Sequence, residues 1–193
     1  MEISRNSRSI FLVVSLLLAL VSLVFVWVFR SEVSAEKQLL HQPNAHFIEE
    51  VKRWATITPN PNHTYSYAPF EKGVIQHLDR NYTYDVIPAE MNGGILFQGI
   101  HRPPTGTSLT ITLSEPVTVY FFFHDIFDGG YTEIFKNLPL WRRTSLRPQY
   151  DIANGEHGLS MITYVAVLPE GTYSIPPTTE DKACFSLVLQ RMP

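Results

Sequence analysis

The residue group best suited to recognition is Trp141-Arg142-Arg143, with Arg147 after it and Tyr131 before it. An indole stacks on the apolar face of a sugar or another flat ligand. Neighbouring guanidiniums offer forked donors that match a carboxylate or sulfate, so the group could read an acidic glycan or a protein partner. A second reading puts Trp141 in the core beside Leu138 and Leu140, as is usual for Trp in an apolar context, and leaves the arginines solvated. A different chemistry is available to His124-Asp125-x-x-Asp128, an imidazole and two carboxylates in a loop that ends in Gly129-Gly130. His124, Asp125 and Asp128 are partial ligands for a divalent cation. They are too few for a calcium loop and short of the three or four ligands of a zinc site, so a strand-end turn with Asx hydrogen bonds fits better.

The seven histidines are scattered and form no HExxH. Gly155-Glu156-His157-Gly158 holds an acid–base pair that would act only with a cleft and a partner. There is no Gly-x-Ser-x-Gly elbow, phosphate loop or dinucleotide fingerprint. No catalytic motif is complete, no cofactor is expected, and enzyme is the weaker hypothesis. The single cysteine, Cys184, cannot form an internal disulfide. Within Ala183-Cys184-Phe185-Ser186-Leu187 it reads as a buried apolar side chain, with a disulfide to another chain as the sharper alternative. Asn62-His63-Thr64 and Asn81-Tyr82-Thr83 are N-glycosylation sequons, which predicts glycan at Asn62 and Asn81 if the segment is translocated.

The elements that must position these groups are mostly strands. Leu109, Ile111 and Leu113 alternate with Ser108, Thr110 and Thr112. Ser114-Glu115-Pro116 then turns, and Val117, Val119, Phe121 and Phe123 recur at every second position, the pattern of a β-hairpin with one buried face. Further strands are expected at Thr83 to Ile87, Gly94 to Ile100, Met161 to Leu168, Thr172 to Ile175 and Cys184 to Gln190, each bounded by turn residues. Seven or more short strands predict an all-β, antiparallel β-sandwich over residues 63–193. Upstream, Phe47, Val51 and Trp54 recur at i, i+4, i+7, with Asn44 as cap and Glu49 four before Arg53. Residues 30–62 therefore read as a helical stalk that Pro59-Asn60-Pro61-Asn62 ends as a stiff linker.

The chain of 193 residues is 45% hydrophobic and 17% charged, with a formal net charge of -3. That is globular rather than disordered, and without a basic run it does not suit a nucleic-acid partner. Ile10 to Phe29 holds only Ser15 and Ser22 as polar members, long enough to cross a hydrocarbon core of about 30 Å as a helix. Trp27 lies where an indole favours the interface. The sequence predicts a short cytoplasmic tail at 1–9, a single-pass signal-anchor at 10–29, and a luminal or extracellular C-terminal domain. Secretion after cleavage near Ala35 is the alternative, which the length of the apolar run disfavours.

Asp79-Arg80-Asn81-Tyr82, Ile87-Pro88-Ala89, Gly93-Gly94, Thr118-Val119-Tyr120, Leu138-Pro139-Leu140-Trp141 and Leu168-Pro169-Glu170-Gly171-Thr172-Tyr173 follow one another in a familiar order. Over residues 74 to 190 they resemble a β-sandwich accessory module often appended to secreted polysaccharide lyases and other carbohydrate-active proteins. The resemblance implies a sandwich fold and an association with glycans, not a reaction. Phe123 to Tyr131 departs from that pattern, and no lyase domain accompanies it. Two functions follow as expectations: a membrane-anchored sandwich that binds a glycan or a surface protein, or an assembly subunit without a small ligand.

Overall fold

The computed structural model describes residues 45–152, 157–180 and 183–192, together with Ser22. The chain divides into a unit Met1–Gln42 and a unit Pro43–Pro193. The proposed anchor (Ser22 apart), the cleavage region near Ala35 and the Asn44 cap lie outside the described residues. Among the described residues no helix is long and apolar enough to cross a membrane.

The second unit is all-β with antiparallel sheets. Its elements are α1 (Ala45–Lys52), β1 (Ala55–Asn60), β2 (Ser66–Pro69), β3 (Thr83–Val86), β4 (Ile95–Gln98), β5 (Ser108–Leu113), β6 (Val117–His124), α2 (Tyr131–Lys136), β7 (Arg142–Arg143), β8 (Gln149–Asp151), β9 (Leu159–Leu168), β10 (Gly171–Ile175) and β11 (Phe185–Arg191). One sheet has the order β1-β5-β10. The other runs β2-β4-β11-β6-β9-β8-β3, with β7 also pairing β9.

The alternation in β5 and β6 places Leu109, Ile111, Leu113, Val117, Val119 and Phe121 in one core, as the period of two requires. The two strands are not a hairpin. β5 pairs with β1 and β10, whereas β6 pairs with β11 and β9. Ser114-Glu115-Pro116 therefore carries the chain from one sheet to the other, and the two apolar rows face each other across the core. A period of two fixes which face is buried, not which strand lies alongside, and that is why the pattern permitted both arrangements.

β6 is buried on both faces. Val119, Phe121 and Phe123 meet Ile57, Ile111, Leu187 and Tyr164 in the core between the sheets. Tyr120 and Phe122 meet Phe70, Tyr84, Met91 and Val188 in a second core, which loops and β3 cover on the other side. Phe121 is the hub of the first, stacked on Phe185 at 5.4 Å and edge-on to Tyr131 at 4.9 Å.

Two expectations for residues 30–62 are corrected. Residues 55–60 are not linker but strand β1, paired with β5 from Ala55↔Leu113 to Asn60↔Ser108. Pro59 is compatible because β1 is an edge strand. Its nitrogen lies on the same side as the Ile57 amide, away from β5, so no ladder donor is missing. Glu49 pairs with Lys52 at 3.1 Å rather than with Arg53. Trp54 is buried in the turn after α1, with the Arg191 guanidinium 5.5 Å from its ring centre.

Candidate functional site

Three neighbouring strands of the larger sheet end at one edge. β4 and β6 both run antiparallel to the β11 between them, so the C-terminal ends of β4 and β6 lie beside the N-terminal end of β11. His124 is the last residue of β6. Cys184 precedes Phe185, which pairs with Phe123, and so falls opposite His124. His101 lies three residues beyond the end of β4. A fourth segment folds over this edge: Leu78 N–H donates to the Gly99 carbonyl at 3.0 Å, and the Gln98 amide donates to the Ile75 carbonyl at 2.5 Å. These bonds bring His77 inward.

The result is a cluster of His77, His101, His124 and Cys184, whose potential ligand atoms all lie within 4.8 Å of one another. The Cys184 Sγ is 3.1 Å from His77 Nε2 and 3.6 Å from His124 Nε2. His77, His124 and Cys184 are buried, and His101 is half-buried. The His124 ring stacks on Tyr150 at 4.5 Å, and the Gln76 amide nitrogen lies 3.3 Å from His124 Nε2. The His101 backbone N–H donates to Asp79 Oδ1 at 2.7 Å. His77 Nδ1 and His101 Nδ1 are buried without a hydrogen-bond partner in the protein.

Burial makes the imidazolium form costly, and all three rings titrate below the ordinary histidine range. His77 is held well below it by desolvation, then by His101, His124 and Arg80. Desolvation and then His101 lower His124 to about 4. His101 is lowered by desolvation and then by Arg80 and Arg102. Burial pushes the Cys184 thiol up. Three neutral imidazoles and a thiol at these separations are a donor set for a transition-metal cation.

The residues singled out from sequence are dispersed differently. His124, Asp125 and Asp128 are not a ligand set: Asp125 is exposed, and Asp128 Oδ1 accepts the Gly130 N–H at 2.9 Å, an Asx turn leading into α2. Burial pushes the Asp128 pKa up, but hydrogen bonds from Thr132 and Gly130 outweigh it and hold the carboxyl below its usual range. Only His124 of the three reaches the cluster. Tyr131 is buried against Phe121 and Phe123, so its ring is core and not a platform for a ligand, because its face is already covered by aromatic neighbours. Trp141 is half-buried, 5.0 Å from Phe135. Arg142 and Arg143 are exposed on β7, and neither forms an ion pair among the described residues. Arg147 Nη1 donates to the Met161 carbonyl at 3.4 Å, a structural contact. Glu156 lies outside the described residues, and His157 pairs with Asp151 at 3.0 Å on the surface. Asn62 and Asn81 are exposed and lie outside the strands.

His77, His101 and Cys184 escaped the sequence reading because no local spacing links them. Cys184 is 107 residues from His77 and 60 from His124. The available signal was positional, in that His101, His124 and Cys184 each adjoin the end of an apolar strand.

No protein-family profile matches the chain, and no curated protein does. Among solved structures, a beta-glucuronidase from glycoside hydrolase family 2 is similar over 71% of this chain, with a TM-score of 0.55 at 14% identity. A GH138 enzyme targeting pectin rhamnogalacturonan II aligns over 72% of this chain with a TM-score of 0.48 at 13% identity. The matched regions amount to 14% and 17% of those two proteins. The first likeness shows the fold alone: an antiparallel β domain similar to a part of that beta-glucuronidase.

Proposed function

We propose that the chain is a single-pass membrane protein whose β-sandwich, on the luminal or extracellular side, binds an acidic glycan through Arg142 and Arg143 beside Trp141. The observation that carries this reading is the pair of exposed guanidiniums on the two-residue strand β7, with no carboxylate partner among the described residues. Each guanidinium offers forked donors that match a uronate or sulfate. The sandwich fold is compatible with a recognition module, and the reading assigns no catalytic residue. The orientation rests on the Ile10 to Phe29 run and on Asn62 and Asn81, both exposed.

A second reading, an assembly subunit, is favoured by the exposed apolar side chains Ile126 and Leu140, 79% and 54% exposed, the latter next to a Trp141 already packed on Phe135. The full-length protein in detergent, applied to an array of neutral, uronic-acid and sulfated glycans, separates the two. Selective retention on acidic glycans, weakened at least about tenfold by Arg142→Ala with Arg143→Ala, is expected from recognition. No retention on any glycan, with self-association or capture in a complex, gives precedence to assembly. A shift on N-glycosidase treatment, abolished by Asn62→Gln with Asn81→Gln, tests the orientation.

A further inference from the structure

We propose that His77, His101, His124 and Cys184 bind one zinc ion as a closed four-ligand site that fastens together the ends of β4, β6 and β11 and the segment around His77. The inference is independent of the glycan reading. It rests first on geometry. With Zn–N bonds of about 2.0–2.1 Å and a Zn–S bond of about 2.3 Å, the edges of a tetrahedron are about 3.3–3.6 Å long. The separations of 3.1 and 3.6 Å between Cys184 Sγ and the Nε2 atoms of His77 and His124 lie close to that range, and all four ligand atoms lie within 4.8 Å of one another.

It rests secondly on a buried polar atom that lacks a protein partner. Imidazole nitrogens withdrawn from water require a partner, and the buried Nδ1 of His101 has none in the protein. Four polar side chains gathered from four segments at the edge of an otherwise aromatic sheet are an arrangement that apolar residues would fill at lower cost, unless the set has a ligand. Thirdly, the chemistry of the set selects among cations. A thiolate with three imidazoles suits zinc, whereas calcium and magnesium take oxygen ligands.

Four protein ligands leave no position for water or substrate, so the ion is structural rather than catalytic. On binding, the Cys184 thiol loses its proton to solvent and the sulfur coordinates as thiolate, while the neutral imidazoles donate their lone pairs without losing a proton. The stacking of His124 on Tyr150 and the Asp79 bond to the His101 backbone act as orienting contacts around the ligands.

The test uses the full-length protein purified in detergent without chelator. Elemental analysis is expected to find about one zinc per chain. Exchange for cobalt(II) is expected to give the intense visible bands of a tetrahedral site together with a near-ultraviolet thiolate-to-cobalt band. Cys184→Ala should remove the thiolate band. Because that residue is buried and its loss could disturb folding, His101→Ala, at the half-exposed ligand, is the second variant. It should keep the wild-type circular dichroism while zinc affinity falls by more than about 100-fold. Zinc-free protein that takes up neither zinc nor cobalt overturns the proposal. So does stoichiometric copper with an intense blue absorption, a cobalt complex without the thiolate band, or a folded His101→Ala protein of unchanged zinc affinity.

Discussion

The backbone N–H of Ile57 donates a 2.9 Å hydrogen bond to the phenolic oxygen of Tyr67, and the bond is buried. Ile57 belongs to β1 at the edge of the three-stranded sheet, and Tyr67 to β2 at the edge of the larger one. One side chain thus satisfies a donor that the end of a ladder would leave bare, and it links the two layers of the sandwich. Tyr67→Phe keeps the ring and strands the amide. A loss of about 1–3 kcal/mol of unfolding free energy is expected in denaturant titration. A variant as stable as wild type would show that the amide has another partner.

The same hydroxyl sets an alkaline limit. Burial raises the Tyr67 pKa from the ordinary value of 10.0 to about 12. The folded state therefore holds this proton more tightly than the unfolded chain does. The associated stability is fully present below pH 10 and is lost as pH rises to about 12, amounting to about 3 kcal/mol. Burial also raises Tyr84 and Tyr131, which act in the same direction. Phenolate absorbance and far-ultraviolet circular dichroism followed across this window should change together. Phenolate formation that runs ahead of unfolding would mean that these hydroxyls are accessible in the folded state.

A fragment that begins at residue 63 lacks β1. It exposes the β5 edge and removes Ile57 from the core, so it is expected to be aggregation-prone or to melt well below the full-length protein. A fragment that starts ahead of α1 should retain cooperative unfolding. Equal stability of the two fragments in thermal melts would contradict the role given to β1.

Two glycines separate backbone strain from crowding. Gly106 and Gly129 both have positive φ, 81° and 60°. A Cβ on Gly106 meets nothing within 4 Å, whereas on Gly129 it would lie 2.8 Å from Ala183 Cα. Gly106→Ala should cost about 1 kcal/mol from conformation alone. Gly129→Ala adds about 1–3 kcal/mol of overpacking and displaces the residue next to Cys184, so zinc affinity should fall as well. Indistinguishable urea midpoints for the two variants would remove the crowding argument.

β5 and β10 were legible in the sequence because a half-buried strand writes its face as a period of two, and the runs expected for β3, β4, β6, β9 and β11, bounded by turn residues, also fall within two residues of the observed strands. Partnership was not legible. β5 and β6 look like a hairpin and belong to opposite sheets. β1 was hidden by Pro59 and Asn60, whose turn propensity outweighs a short Ala-Thr-Ile-Thr run unless the edge position is known. The site divides in the same way. Trp141, Arg142 and Arg143 were found as adjacent letters. The His77, His101, His124 and Cys184 cluster exists only once strand order makes the ends of β4, β6 and β11 neighbours, and no local spacing encodes that order.

β11 follows every other strand among the described residues and yet sits inside the larger sheet, hydrogen-bonded to β4 on one side and β6 on the other. During synthesis, β4 and β6 cannot be joined through β11 until residues 185–191 have been made. The late strand also delivers Cys184, so neither the sheet nor the ligand set can be completed on a partial chain. Such long-range pairing is slow to form. A nascent chain of this topology leaves the facing edges of β4 and β6 unpaired until β11 has been made.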